Sequence, residues 1–354
     1  MSLARGARKF RVEPDRLESL LSRRAKSRFR TDKAIVEQEQ RTYPGKLERT
    51  PEFWSSIVSQ VDKSVRSVDE KLGKALGSER WQIDFSCTRS NRISPRILLL
   101  QNRRLRIEFP EEFFLWTDEA AQFMHGDVPY RNALSICQAR PDEDHSRLFH
   151  QLWCLWIAHH EVSHFLCGHL FHLSVTEFVE LGAIGGKPFP HEMRLLREAM
   201  EVDADINAAK LFFADIGRLS ASQAWDDFYG LNDCSVLLMQ DLALIFLPLF
   251  LEISHSESSD ASRRVHPSAF HRLVLFQLFG LNAYRKEVHS SVEQHLGGYG
   301  AGLKKAIELL IHLDGTMLRE KPAEPDFVSH KRALLSVQME RKRLVKFPDD
   351  WLKK

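Results

Sequence analysis

The sequence predicts an α+β fold in which a small antiparallel sheet is followed by a mainly helical body. Two short stretches, 81–87 and 104–110, alternate apolar with polar residues, as half-buried strands do. From Leu148 onward, apolar residues instead recur at helical spacing along most of the chain. Apolar residues make up 43% of the 354 residues, which is enough for a sizeable core and excludes wholesale disorder.

The first 75 residues are predicted to form a basic helical N-terminal arm. Residues 1–30 hold ten Lys and Arg against three Asp and Glu, although the net charge of the whole chain is only +2. A basic helix face is most often simply solvated, and an acidic or nucleic-acid partner is the alternative. Pro44-Gly45 marks a turn within the arm, Thr50-Pro51 marks the start of a new helix, and apolar residues recur at helical spacing over Ser55–Leu76.

Three strands are predicted next, at Trp81–Cys87, Arg96–Gln101 and Arg104–Pro110. The last two are expected to form a hairpin, because only two residues beyond Gln101 separate them. We expect the stretch Arg104–Glu108 to be an edge strand on which an extended substrate could pair. Phe113–Gly126 is expected to continue as a strand and then a helix.

The helical body is predicted to contain a buried helix at Leu148–Phe171 and a second helix at Met193–Phe213. Gly297–Gly302 is expected to be a flexible connection. Leu242–Leu251 is strongly apolar, but ten residues cannot span about 30 Å of hydrocarbon, so a core helix is expected and no membrane partner. Further helices are predicted around 235–252, 267–280, 301–314 and 327–343. Residues 76–280 are predicted to form the main domain, and residues 281–354 a C-terminal helical extension packed on it.

The most informative motif is His160-Glu161-Val162-Ser163-His164, an HExxH sequence inside the first long apolar helix. Residues four apart lie on one face of a helix, so both imidazoles can reach a single ion. Glu161 lies one step round the helix, where it can act as a general base on a water molecule. The motif therefore predicts a metal site, with Zn²⁺ as the metal and Glu161 as a catalytic residue.

A third metal ligand is expected from the helix that contains Glu198, Glu201 and Asp205 on one face. Acidic residues on the otherwise apolar side of a helix need a partner. A zinc ion with two histidine ligands takes one further protein ligand and keeps an open position. Glu201 is predicted to supply that ligand, with Glu198 as the reserve. Asp205 is predicted to accept a hydrogen bond from His160 and fix its orientation.

HExxH followed by a helix with Glu201 and Asp205 resembles the gluzincin superfamily of zinc metallopeptidases. The "HEVSHFLCGH" stretch and the later "ExxAD" are similar to soluble cytoplasmic members, the ImmA-type peptidases and the Lit-type phage-exclusion peptidases. The resemblance implies a zincin-like domain and a zinc-dependent endopeptidase that cleaves a protein or peptide substrate, in a regulatory or anti-phage role. The alternative is a non-catalytic regulatory or binding protein of the same fold that holds a structural zinc.

A second donor is expected to stabilise the negative charge that develops on the substrate oxygen. The residues leave the choice open among three candidates, His266, His271 and Tyr299. His266 is taken as the second predicted catalytic residue, beside Glu161. The segment Arg263–Arg272 resembles the His-Pro…Arg segment that follows the third ligand in some gluzincins.

The remaining polar residues of the motif helix are expected to be structural. His159 and His169 are predicted to point away from the ligand face and to pack or form hydrogen bonds. Gly168 is expected to allow a bend or a close helix contact, and Cys167 to be a core thiol.

The cysteine pattern predicts reduced thiols and a cytoplasmic protein. Five cysteines are an odd number, and none of them form a CxxC pair. The first thirty residues contain no apolar segment of the kind found in secretory signals.

Overall fold

The computed structural model describes residues 59, 61–70, 82–88, 95–100, 104–140, 145–172, 177–179, 191–220, 235–255, 267, 269–288 and 292–314. The predictions for the basic arm at 1–58, for the helix at 327–343 and for His266 lie outside these residues. The described part is mostly helical with one small sheet, so the α+β class is confirmed. The first described helix, α1, covers 61–70 and buries its valines at 61, 65 and 68.

The sheet has four strands: β1 (Gln82–Thr88), β2 (Arg96–Leu100), β3 (Arg104–Pro110) and β4 (Glu177–Val179). They lie in the order β1-β3-β2-β4. β2 and β3 are antiparallel, as the predicted hairpin requires, and Ile97 pairs with Ile107 in its register. The alternating apolar residues of β3, Leu105, Ile107 and Phe109, are fully buried and form one floor of the core.

Two predictions about the sheet are wrong. β1 runs parallel to β3, with Ile83 opposite Leu105, so the sheet is mixed instead of antiparallel. β3 lies between β1 and β2, so the predicted edge at Arg104–Glu108 is an interior strand whose backbone groups are paired on both sides. Apolar alternation specifies which face of a strand is buried. It specifies neither the direction of a strand nor its place in the sheet.

Helices begin immediately after the sheet. Glu111–Gly126 (α2) is helical from its first residue, so the strand predicted at its start is absent there. Two short helices follow, Val128–Ala133 (α3) and Ser135–Ala139 (α4). The first of them starts at Asp127, whose carboxylate accepts a hydrogen bond from the Tyr130 backbone N–H at 2.9 Å.

The long helices form the body of the molecule. They are α5 (Ser146–Leu166), α7 (His191–Ser220), α8 (Ser235–His255), α9 (Ala269–Val288) and α10 (Val292–Asp314), and a one-turn helix, α6 (His169–His172), follows α5. The helix α10 contains the stretch Gly297–Gly302, so the flexible connection predicted there is wrong. Gly302 lies against the α8 backbone, where an added Cβ would come within 3.0 Å of the Gln240 Cα. Close helix packing therefore explains that glycine.

A cluster of aromatic rings joins α5, α7, α8 and α9. The ring of Trp156 makes edge contacts with three neighbouring phenylalanines at centroid distances of 5.0–5.9 Å: Phe246, Phe250 and Phe276. Phe212 and Phe213 of α7 contact Phe276 from the other side. Trp156 also lies 6.3 Å from the His160 ring, so the cluster forms one wall of the predicted metal site.

The helix α8 is buried from Met239 to Leu251, and it contains Pro248 in its interior. Proline has no backbone N–H, so the carbonyl of Leu244, four residues earlier, loses its helical partner. The Tyr130 hydroxyl donates to that carbonyl at 2.6 Å. The indole N–H of Trp153 donates to the next carbonyl, that of Ile245, at 2.9 Å. The Tyr130 hydroxyl thus replaces the donor that the proline removes, and the Trp153 indole binds the neighbouring carbonyl.

None of the helices in the described part of the chain combines the length and the apolar character that crossing a bilayer requires. The predicted division of the chain at residues 75 and 280 stays a prediction. The helix α9 runs through position 280, where an added Cβ would lie 2.1 Å from the Phe213 Cδ2. The glycine there is what allows α9 to approach α7.

We expect Tyr130→Phe to lower the free energy of unfolding by about 1–3 kcal/mol, because it leaves the buried Leu244 carbonyl without its donor. The change keeps the ring, so packing is preserved. Urea denaturation followed by circular dichroism measures the effect. Tyr299→Phe, which removes a hydroxyl from a half-buried tyrosine of α10, is the matched control and should change stability little. Equal stability of Tyr130→Phe and the parent would contradict the role given to this hydroxyl.

Candidate metal centre

The two histidines of the HExxH motif meet on one face of α5. The Nε2 atoms of His160 and His164 are 3.2 Å apart, and both side chains are completely buried. Their rings are nearly perpendicular, at 83°. Because the spacing of four residues nearly completes a helical turn, the two imidazoles turn the same nitrogen toward one point.

Glu201 of α7 completes a group of three. Its Oε2 lies 3.3 Å from the His160 Nε2 and 3.7 Å from the His164 Nε2. Ligands bound at 2.0–2.1 Å in a tetrahedral zinc site lie about 3.3–3.4 Å from one another. The three donor atoms therefore have the mutual spacing that one small divalent cation requires, and the structure brings together the three predicted ligands.

His160 is held from behind by a charged pair. Its Nδ1 lies 3.0 Å from the Asp205 Oδ1, and the same oxygen accepts a hydrogen bond from the Arg272 guanidinium at 2.7 Å. All three side chains are fully buried. The structure thus places Asp205 within reach of His160, and the hydrogen bond between them stays a prediction. The ion pair of Arg272 with Asp205 was not predicted, although the segment Arg263–Arg272 resembles a segment of some gluzincins.

Among the described residues around this centre, carboxylates outnumber the guanidinium groups that act on them. The buried acids are Glu161, Glu201, Asp203 and Asp205. Arg272 pairs with Asp205, and Arg197 acts on Glu201 electrostatically, although burial lowers the pKa of Arg197. Isolated buried charges are costly unless they are paired or coordinate a metal. Two guanidinium charges do not balance four carboxylate charges, and a divalent cation would supply the missing positive charge.

His159 and His169 differ in their outcomes. His159 points away from the site, as predicted, and its Nε2 lies 2.8 Å from the Asp215 Oδ2. His169 points toward it, with its Nδ1 3.0 Å from the His164 Nδ1, so the predicted direction of this side chain is wrong, whereas the predicted hydrogen bonding is observed. The prediction assumed one helix through Phe171. Instead α5 ends at Leu166, and Gly168, with φ of 78°, bends the chain so that His169 folds back.

The bend also creates a second group of potential ligands. The His169 Nε2 faces the Asp203 Oδ2 at 3.8 Å, and the Cys167 thiol is 4.0 Å from the Asp203 carbonyl oxygen. These three residues offer ligand atoms that all lie within 4.8 Å of one another. Cys167 is accordingly outside the His160 group, as predicted, but is partly exposed instead of enclosed in the core. Burial lowers the pKa of His169, while the neighbouring Asp203 carboxylate opposes that shift.

The remaining predicted site residues are placed as follows. Glu161 is buried in the same helix turn as His160, with 1% of its surface exposed. Glu198, the reserve ligand, is partly exposed and is not in the group of three. His271 is buried in α9 beside Arg272, and Tyr299 is half-buried in α10, where burial raises its pKa. Their proposed oxyanion roles stay predictions.

No protein-family model matches the chain, and no curated protein and no solved structure matches it either. The resemblance to gluzincins therefore stays a hypothesis that depends on the motif residues and on their geometry.

We expect Arg272→Met to lower the free energy of unfolding by about 3–5 kcal/mol, because it leaves the Asp205 carboxylate buried without its guanidinium. Asp205→Leu combined with Arg272→Met should restore part of the loss, since the pair is then removed together. Urea denaturation in the presence of EDTA measures both. Arg218→Met is the matched control, because Arg218 pairs with Asp215 while half exposed, and should cost under about 1 kcal/mol. Additive losses in the double variant would contradict the coupling.

Proposed function

We propose that this protein is a zinc-dependent endopeptidase with its active site at His160, His164 and Glu201. The observation that carries the proposal is the set of distances of 3.2, 3.3 and 3.7 Å among the three donor atoms. Two helices separated in sequence converge to make this set. A buried glutamate, Glu161, adjoins it in the HExxH motif.

The donor types fit zinc. Two neutral imidazoles and one carboxylate form a mixed nitrogen and oxygen set, and His₂Glu is a ligand set of catalytic zinc sites. Metals that prefer all-oxygen sites, such as calcium and magnesium, would find two of the three donors unsuitable. Asp205 behind His160 is the arrangement that commonly orients a zinc-bound histidine.

A zinc ion held there would act as a Lewis acid and lower the pKa of a bound water toward neutrality. Glu161 is the proposed general base, which takes a proton from water and returns it to the amine that leaves the cleaved peptide. His160, His164 and Glu201 hold the metal, and Asp205 and Arg272 keep His160 in place. Proton transfer by a positioned carboxylate contributes roughly 10²–10⁴-fold to rate.

The proposed substrate is a protein or a peptide, and the proposed role is regulatory or anti-phage. The motif residues resemble those of ImmA-type and Lit-type peptidases, and that resemblance is the support for the substrate class. A cytoplasmic location is proposed with it. The suggestion that the basic segment at 1–30 contacts an acidic partner or a nucleic acid stays a prediction from charge.

One observation favours a second candidate, a non-catalytic regulatory protein of the same fold with a structural zinc. The three donor residues and Glu161 are all at most 1% exposed, as the ligands of a structural metal often are. Structural zinc sites, however, are closed by four protein ligands, whereas the group described here has three. This difference in ligand number is why the peptidase is placed first.

Elemental analysis of the purified full chain is expected to find one zinc per molecule, and Glu201→Ala should lose it during dialysis. Removal of a ligand should weaken binding by more than the roughly 10–100-fold that follows from changing a residue behind a ligand. Glu198→Ala removes the same kind of side chain one turn earlier in α7 and should retain the metal. Retention of zinc by Glu201→Ala and its loss from Glu198→Ala would move the third ligand to the reserve position.

Glu161→Gln is expected to keep zinc and to lower the cleavage of a quenched fluorescent peptide library by about 10²–10⁴-fold. The amide matches the carboxylate in size but cannot accept the proton. Glu198→Gln is the matched control and should cleave as the parent does. Cleavage by Glu161→Gln at the parent's rate would contradict the peptidase assignment. A parent that binds zinc but cleaves nothing, and that unfolds when His164 is changed to Ala, would establish the structural-zinc candidate instead.

A further inference from the structure

We propose that His169, backed by Asp203, is a positioning residue that orients His164, and that its contact with His164 restricts the protein to one metal ion. The inference depends on the proposed zinc site. Four distances carry it: each ligand histidine turns Nε2 toward the shared centre and Nδ1 toward a specific partner. His160 meets Asp205 at 3.0 Å, and His164 meets His169 at 3.0 Å. The two Nε2 atoms are 3.2 Å apart, and His169 faces Asp203 at 3.8 Å.

The position of the hydrogen atoms follows from this geometry. A neutral imidazole that binds a metal through Nε2 carries its hydrogen on Nδ1. The Nδ1–H of His164 must therefore donate, and the Nδ1 of His169, 3.0 Å away, must accept. His169 then carries its own hydrogen on Nε2, the nitrogen that faces the Asp203 carboxylate. Asp203 favours that tautomer, so a carboxylate acts on the second ligand through an intervening ring.

This hydrogen bond conflicts with metal binding by Cys167, His169 and Asp203. A metal on the His169 Nε2 would place the hydrogen on Nδ1, directly opposite the Nδ1–H of His164. Two N–H groups facing each other at 3.0 Å cannot form a hydrogen bond. A metal on the His169 Nδ1 would take the lone pair that His164 uses. The two ligand groups therefore compete for one contact, and filling the first excludes the second.

The fold holds His169 firmly enough for this task. Gly168 adopts a positive φ that other residues rarely adopt, and its N–H donates to the Phe165 carbonyl at 2.9 Å. The bend brings His169 back to His164, which is five residues earlier in the chain. His169 is 1% exposed and Asp203 5%, so water does not replace either partner easily. Preorganised partners of this kind typically contribute 10–100-fold to metal affinity.

The first test needs no substitution. Long-range ¹H–¹⁵N correlation spectra of the full chain, loaded with zinc and labelled at histidine, distinguish the two tautomers of each ring. We expect His164 with hydrogen on Nδ1 and zinc on Nε2, and His169 with hydrogen on Nε2. A His169 ring with hydrogen on Nδ1, or with a metal-bound nitrogen, would overturn the proposal.

The second test measures zinc affinity by competition with a chelator. His169→Phe, which fills the same space without an acceptor, should weaken binding by about 10–100-fold. His169→Asn should recover much of that loss, because its side-chain oxygen lies near the position of the imidazole Nδ1. Cys167→Ala should bind one zinc with unchanged affinity. Circular dichroism of each variant without metal separates these effects from unfolding, and His164→Ala reports on the zinc site itself.

Each outcome distinguishes this inference from the proposed function. Loss of zinc in His164→Ala together with parental affinity in His169→Phe would leave the metal site standing and remove the role of His169. Two zinc ions in the parent, with one lost in Cys167→Ala, would show that both groups are filled and would contradict the exclusion. A His169→Asn variant as weak as His169→Phe would show that an acceptor at this position does not restore zinc binding, and would contradict the role given to the His169 Nδ1.

Discussion

The central constraint on this molecule is the burial of a polar layer between α5 and α7. His160, His164 and Glu201 lie where an ordinary helix pair would bury leucines, and each is at most 1% exposed. Such groups destabilise a fold unless every donor and acceptor finds a partner. The surrounding architecture is consistent with that demand, because the aromatic cluster around Trp156 seals one side and β2 and β3 pack against α5 on another.

The two ligand histidines are supported in different ways, and the difference has a chemical meaning. His160 faces a carboxylate directly, whereas His164 faces a neutral ring that stands between it and Asp203. A direct carboxylate makes an imidazole a stronger electron donor than an intervening imidazole does. Arg272 moderates this effect by sharing the Asp205 oxygen. The proposed metal would therefore be bound by one stronger donor, His160, and one weaker donor, His164. The difference comes from the residues behind the two histidines, because the ligands themselves are the same.

Sequence periodicity predicted much of this centre because its key spacings are local. His160 and His164 are four apart on one helix, as are Glu201 and Asp205, so helical geometry alone orients them. What failed depended on distant parts of the chain. The parallel pairing of β1, the interior position of β3 and the role of Arg272, 67 residues after Asp205, leave no local signature. His169 was misplaced because apolar residues continue past Gly168, which concealed the end of α5. Gly168, which directly follows the capping residue Cys167 at the end of α5, was the available signal.

The burial of the donors and the number of donors point to different kinds of zinc site, and the number is the stronger argument. Burial of the ligands describes only the closed state of a metal site. In enzymes generally, a lid or loop can open and expose such a site without moving its ligands. Ligand number reflects what the helices permit. Within the described residues, the other cysteine and histidine near the centre, Cys167 and His169, belong to the competing group, and His169 is committed to His164 through Nδ1. His169 could act as a fourth ligand only by turning its ring inward, which would break that contact. In the proposed zinc site, the three ligands His160, His164 and Glu201 would thus leave a fourth coordination position to water or substrate.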